Sequence, residues 1–159
     1  MNIEFNEFCR TLVVNAPDAI IYADSKGLIQ FWNLGAERLF GYSQQEALGQ
    51  TLDIIIPENL RKRHWDGYAQ TMKTGRTRYG AGDLLSVPAQ RKNGIRVSVE
   101  FTILPLHDRN SQICGIAAIL RDVSKQYQEI KQLRAEVAAR HIDQNPERQN
   151  QKSTERSRS

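Results

Sequence analysis

The chain has 159 residues with 22 Lys or Arg against 18 Asp or Glu, a net charge of +4, and 40% hydrophobic residues. That is the make-up of one globular domain with an appendage, and two full domains would be cramped. The longest apolar run, Ile113–Leu120, has eight residues, far short of the roughly 20 that cross a bilayer. The first eight residues lack the basic start and apolar stretch of a secretory signal, so no membrane partner and a cytoplasmic location are expected.

In chain order, Ile3, Phe5, Phe8, Leu12 and Val13 fall at the spacings of a short amphipathic helix, a cap over residues 1–14. Asn15 to Asp18 breaks it. Ala19–Ala23 reads as a buried strand, Asp24 to Gly27 as a tight turn, and Leu28–Trp32 as the returning strand. Asn33 caps a short helix that carries Ala36, Leu39 and Phe40 and ends at Gly41. Ser43 and Glu46 form a capping box for the next helix, which Gly49 closes. After the compact apolar stretch Leu52–Ile56, Pro57 opens a longer helix from Glu58 to about Thr74, stopped by Gly75.

Beyond Gly75 the hydrophobic period changes to two. Tyr79–Gln90 is predicted as a strand, with Arg91 to Gly94 supplying an Asn-Gly hairpin turn. Ile95–Leu106 alternates, placing Val97, Val99, Phe101 and Ile103 on one face and Arg96, Ser98, Glu100 and Thr102 on the other. A polar loop, His107 to Gln112, leads to a last strand, Ile113–Arg121. Two strands, several short helices and three more strands give an antiparallel α+β architecture. Val123, Ile130 and Val137 then recur seven apart with Leu133 between them, the pattern of a helical linker over residues 125–140 that pairs with a second copy. Residues 141–159 are polar and expected to be disordered. Five Lys or Arg against three Asp or Glu in the last twenty residues make a poor nucleic-acid site.

The segments Asn15 to Asp24 with Gly27, Asn33 to Tyr42, Glu46 to Gly49, Arg91 to Gly94 and Leu120 to Ser124 together resemble PAS sensory domains. The resemblance runs from about Thr11 to Ser124 and makes residues 15–124 the domain proper. It implies a PAS-like five-stranded antiparallel sheet flanked by short helices, a ligand between sheet and helices, and a C-terminal signalling helix. A homodimer and a signalling partner or fused output domain are implied with it. One PAS fold hosts many ligands, so the fold alone does not name this one.

Within the long helix, Leu60, His64 and Tyr68 recur every four residues and share one face. A histidine there can present a neutral imidazole nitrogen to a metal, and Val97, Val99, Phe101 and Ile103 offer an apolar wall. The stretch Pro57, Arg61, His64 is similar to the proximal-histidine helix of haem-binding oxygen-sensor PAS domains. That resemblance implies haem b with His64 as its iron ligand, and a diatomic gas or redox state as the signal. Arg61 and Arg63 are then expected to neutralise the haem propionates. The likeness departs on the distal side: Asp83 stands where the oxygen sensors carry an arginine, and Ala81 at a second distal position. A carboxylate does not stabilise bound oxygen as a guanidinium does, so carbon monoxide, nitric oxide, a redox change or another axial ligand is expected instead.

The alternative reading is a haem-free PAS dimerisation module, or a sensor of another small ligand, with His64 only packing. Cys9 and Cys114 are far apart and neither lies in a flavin-photosensor motif; they form no disulfide framework and no zinc site. Trp32 and Trp65 are expected to pack, and Glu37 to pair with a basic residue. No Ser/His/Asp or Cys/His set converges, so an enzyme is not expected.

Overall fold

The computed structural model describes residues 3–80 and 82–143. The helix predicted from Ile3 is α1, Phe5–Asn15. The first hairpin is β1, Ala19–Asp24, and β2, Ile29–Trp32. Asp24 shapes the turn: its Oδ1 accepts from the amides of Lys26 and Leu28, and Oδ2 accepts from the Gln30 side chain. The side-chain acceptor replaces a ladder partner, which is how aspartate closes a turn. Leu28 is not in the strand as expected; the turn diverts it, and it makes an isolated bridge to Thr51.

The helical section follows as α2, Leu34–Phe40, and α3, Gln44–Ala47. A 3-10 turn at Leu52–Ile54 precedes α4, Glu58–Thr74. The capping box of α3 forms as its sequence requires, with Ser43 and Glu46 satisfying each other's amides. Pro57 precedes α4, and Gly75 ends it at φ +68°, its amide closing on Thr71 O.

Three strands complete the sheet: β3, Leu85–Gln90; β4, Arg96–His107; and β5, Ile113–Asp122. All pairings are antiparallel, in the order β2-β1-β5-β4-β3. The strand predicted from Tyr79 begins only at Leu85. Ahead of it the Asp83 carboxylate accepts from the Gly80 amide at 2.6 Å and Gly82 adopts φ +86°, which folds the chain into a turn and withholds it from the ladder.

Alternation puts Ala19, Ile21 and Ala23 of β1, Ala118 and Leu120 of β5, and Val97, Val99, Phe101 and Ile103 of β4 on the face that the helices cover. Trp32, Phe40, Ile29 and Val99 fill the core there, with Trp32 and Phe40 ring centroids 5.6 Å apart. Buried Asn33 links the layers. Its Oδ1 accepts from the amides of Ile20 and Ala36, and its Nδ2 faces the carbonyls of Val13, Ala16 and Asp18. Gly35 is required beside it, since a Cβ would lie 2.1 Å from the Asp18 carbonyl oxygen.

Residues 3–123 thus belong to one compact unit, and α5, Ser124–Asp143, to a second. Tyr127, Ile130, Leu133 and Val137 of α5 are all exposed.

Candidate functional site

Helix α4 carries the candidate ligand. Its inward stripe is Leu60, His64, Tyr68 and Thr71, of which Tyr68 and Thr71 are buried and Leu60 and His64 half-buried. Tyr68 fixes where the helix lies. Its hydroxyl donates toward the carbonyls of Asp24 (2.6 Å) and Ala23 (3.1 Å) at the end of β1. Burial pushes the phenol well above its ordinary range, so it stays protonated and keeps donating. In the sheet register Ala23 lies opposite Ile116 and Ile116 opposite Pro105. The next row on this face is Ile21, Ala118 and Ile103. Tyr68 therefore meets the sheet near the Ile103 end of β4, while Asn59 in the first turn of α4 accepts from Arg96 at the other end of that strand, so the stripe runs along β4.

His64 lies one turn before Tyr68, with ring centroids 5.8 Å apart, and its ring meets Trp65 edge-on at 4.7 Å. Its Nδ1 is buried and has no hydrogen-bond partner among the described residues. Burial lowers the imidazole pKa below its ordinary 6.5, against a weaker opposing pull from the Asp53 carboxylate. A neutral imidazole with an unsatisfied buried nitrogen costs free energy as it stands. It is also in the protonation state that binds a metal.

The neighbours of His64 are anchored elsewhere. Trp65 donates from Nε1 to Asp53 Oδ1 at 2.8 Å and lies against Gly27, where a Cβ would meet its ring at 2.3 Å. The expectation that Trp65 packs therefore holds, with a hydrogen bond added. Arg61 donates from Nε to Ile56 O and from Nη2 to Asp53 O, both at 3.1 Å, and its charge lies 3.8 Å from the Asp53 carboxylate. Its guanidinium thus ties α4 to the turn before it, while Arg63 is exposed. Asp53 was not singled out in the sequence. Eight and twelve residues separate it from Arg61 and Trp65, across Pro57, and no periodic signal links them.

Of the expected apolar wall, Val97 and Val99 are buried within the core, 6% and 1% exposed, while Phe101 and Ile103 are half-buried. Phe101 still packs against the core, so the wall passes from filled core at Val97 and Val99 to a half-buried edge at Ile103. Asp83 is exposed and occupied with its own turn; Ala81 lies outside the described residues. Glu37 differs from expectation: Oε1 accepts from the Gln44 amide at 2.6 Å, so it caps α3 and makes no salt bridge to a basic residue among the described residues. The described residues contain no group of three or more His, Cys, Asp or Glu suited to hold a metal ion. Haem iron is held by its porphyrin and needs only one or two axial ligands from protein. Among the described residues no helix is long and apolar enough to cross a membrane.

The PAS fold family model matches residues 7–123. Sensor protein FixL of Bradyrhizobium diazoefficiens is 37% identical over 98 residues, covering 62% of this chain and 18% of the relative. Oxygen sensor protein DosP of Escherichia coli is 26% identical over 116 residues, covering 72% of this chain and 14% of the relative. The chain thus spans less than a fifth of either relative's length. Among solved structures, a PAS domain from Colwellia psychrerythraea superposes with a TM-score of 0.67 at 23% identity, covering 77% of this chain and 99% of that one. An RNA-binding light-oxygen-voltage receptor does so with a TM-score of 0.66 at 19% identity, covering 89% and 39%. At those identities the two structures speak for the fold alone. With its strand order, its helices on one sheet face and a family match over most of its length, this chain belongs to the PAS family of sensory domains.

Proposed function

We propose that this PAS domain binds haem b through His64 and signals a diatomic gas or a redox change through its C-terminal helix. The observation that carries the reading is the Nδ1 of His64, buried and without a partner among the described residues, on a ring that burial disfavours protonating. The matches to a sensor protein and an oxygen sensor protein support the same class of function. Bound haem would supply an iron coordination position open to a small gas. The chain's own residues then hold and orient it: His64 as the iron ligand, Leu60 and Tyr68 flanking it on the stripe, Phe101 and Ile103 as apolar wall. Asp53 keeps the helix in register through Arg61 and Trp65. Arg63, exposed, remains the propionate partner to test, since Arg61 is already engaged. Asp83, exposed and engaged with the Gly80 amide, joins the distal side only if its turn rearranges, and the second distal position, Ala81, lies outside the described residues. The role is sensory, and activity would reside in a partner or fused output domain, within a homodimer whose α5 helices pair through Ile130, Leu133 and Val137.

Absorbance of the purified chain, before and after haem addition, tests this. The expected result is a sharp haem Soret band in the wild type, weakened or shifted in His64→Ala and partly restored by added imidazole. An unaltered spectrum in His64→Ala, or no uptake by the wild type, overturns the assignment. No uptake would favour the second reading, a haem-free PAS dimerisation module, for which the exposed apolar stripe of α5 speaks.

A further inference from the structure

A cleft of about 300 Å³ opens on another side of the domain, where β1 begins and β5 ends. Its floor is apolar, made by Pro17, Ala19, Leu39 and Leu120, and its rim carries Arg38, Arg91 and Arg121. A second cleft, about 470 Å³, adjoins it along Arg38 and Arg91 and runs over Phe40 and the Lys92–Asn93 turn. Two carboxylates also line the first cleft. Asp18 is held by Arg121 in a two-pronged pair (3.0 and 2.6 Å), and Asp122 by Arg91 Nη2 at 2.7 Å. Three guanidiniums against two carboxylates leave one net positive charge. The surplus is localised: among the described residues Arg38 makes no hydrogen bond or ion pair and the buried Nε of Arg91 has no acceptor.

An unpartnered buried guanidinium N–H is costly, and it lies beside a free guanidinium on the same cleft wall. Guanidiniums favour oxyanions that accept two bonds at once, phosphate above all. Pockets of this volume take a small organic body in addition to such a group. The geometry points to a binding site for a phosphorylated small molecule of nucleoside-monophosphate size, its phosphate on Arg38 and Arg91 and its body on the Pro17–Leu120 floor. Asp122 precedes α5 by one residue, Val123, so an occupant competing for Arg91 acts on the contact that ends the last strand.

The test is calorimetric titration of the full chain, without haem and at fixed ionic strength, with AMP, adenosine and inorganic phosphate. AMP is expected to bind, and adenosine to bind at least about tenfold more weakly, the loss of charge-assisted hydrogen bonds. Arg38→Ala, an exposed residue with no partner to disturb, should weaken AMP by about tenfold with an unchanged melting temperature. Binding of AMP and inorganic phosphate alike would assign the site to the phosphate group. AMP alone would assign it to the phosphorylated body as well. No AMP binding, equal binding of adenosine, or AMP affinity unchanged in Arg38→Ala overturns the proposal.

Discussion

Two stretches of one strand face, four residues apart, are packed to different degrees. Val99 on β4 is 1% exposed, against Trp32 and Phe40 at 1% and 0%, with Asn33 satisfying five backbone groups beside them. Phe101 and Ile103 continue the same face but stay half-buried, and α4 brings a histidine whose buried Nδ1 has no hydrogen-bond partner among the described residues. The first region specifies the fold, because its buried Asn33 is paired on both side-chain atoms and its apolar volume is filled. The second leaves surface and bonding capacity unused. A sensor needs both: a rigid frame, and a region whose packing a ligand can complete.

The comparison breaks most visibly under truncation. Phe40→Ala should cost about 3–5 kcal/mol, as for a large aromatic removed from a filled core. Ile103→Ala should cost about 1–2 kcal/mol, since only part of its surface is withdrawn from water. Urea unfolding of both variants measures the difference, and equal losses would erase the distinction between the two regions.

Next in size are the ties that hold α4 to the first hairpin. Gly27→Ala must accommodate a Cβ at φ +77° and 2.3 Å from the Trp65 ring, so about 1–3 kcal/mol of stability should be lost. A change in Trp65 fluorescence should accompany it. Tyr68→Phe removes the donor to Ala23 and Asp24 and should cost about 1–2 kcal/mol, with faster amide exchange in α4 and little change in α2. Uniform acceleration would mean that α4 and the core open together.

These two ties also show how far the sequence could be read. The stripe Leu60, His64, Tyr68 and the bounds of α4 follow from a four-residue period between Pro57 and Gly75, local signals that survive folding. The alternation of β4 is legible for the same reason. The Tyr68 hydrogen bonds, the Trp65 contact with Gly27 and the anchoring of Arg61 by Asp53 join residues brought together only by the tertiary fold. Asn33 was legible as a cap but not as the hub joining α2 to β1. The start of β3 is not legible from the period-two pattern over Tyr79–Gln90, because the Asp83 side chain takes the Gly80 amide and turns the chain.

The smallest effect belongs to the ion pair at the β5 end. The Arg121 guanidinium holds the Asp18 carboxyl below its ordinary 3.8. A depressed carboxyl stabilises the folded chain above that value, and the contribution is lost as pH falls through the folded pKa. In Arg121→Ala the Asp18 carboxyl should move up toward 3.8 by NMR titration, and stability should fall less steeply in acid. An unmoved Asp18 would place its electrostatic partner elsewhere.

Amide hydrogen exchange of the wild-type chain, with and without added haem, tests the division of labour most directly. The account predicts slow, haem-independent exchange across β1 and α2, and faster exchange in α4 that haem slows around His64 and at the Ile103 end of β4. Equal protection of α2 and α4 without haem, or haem-induced changes centred on Trp32 and Phe40, would contradict it.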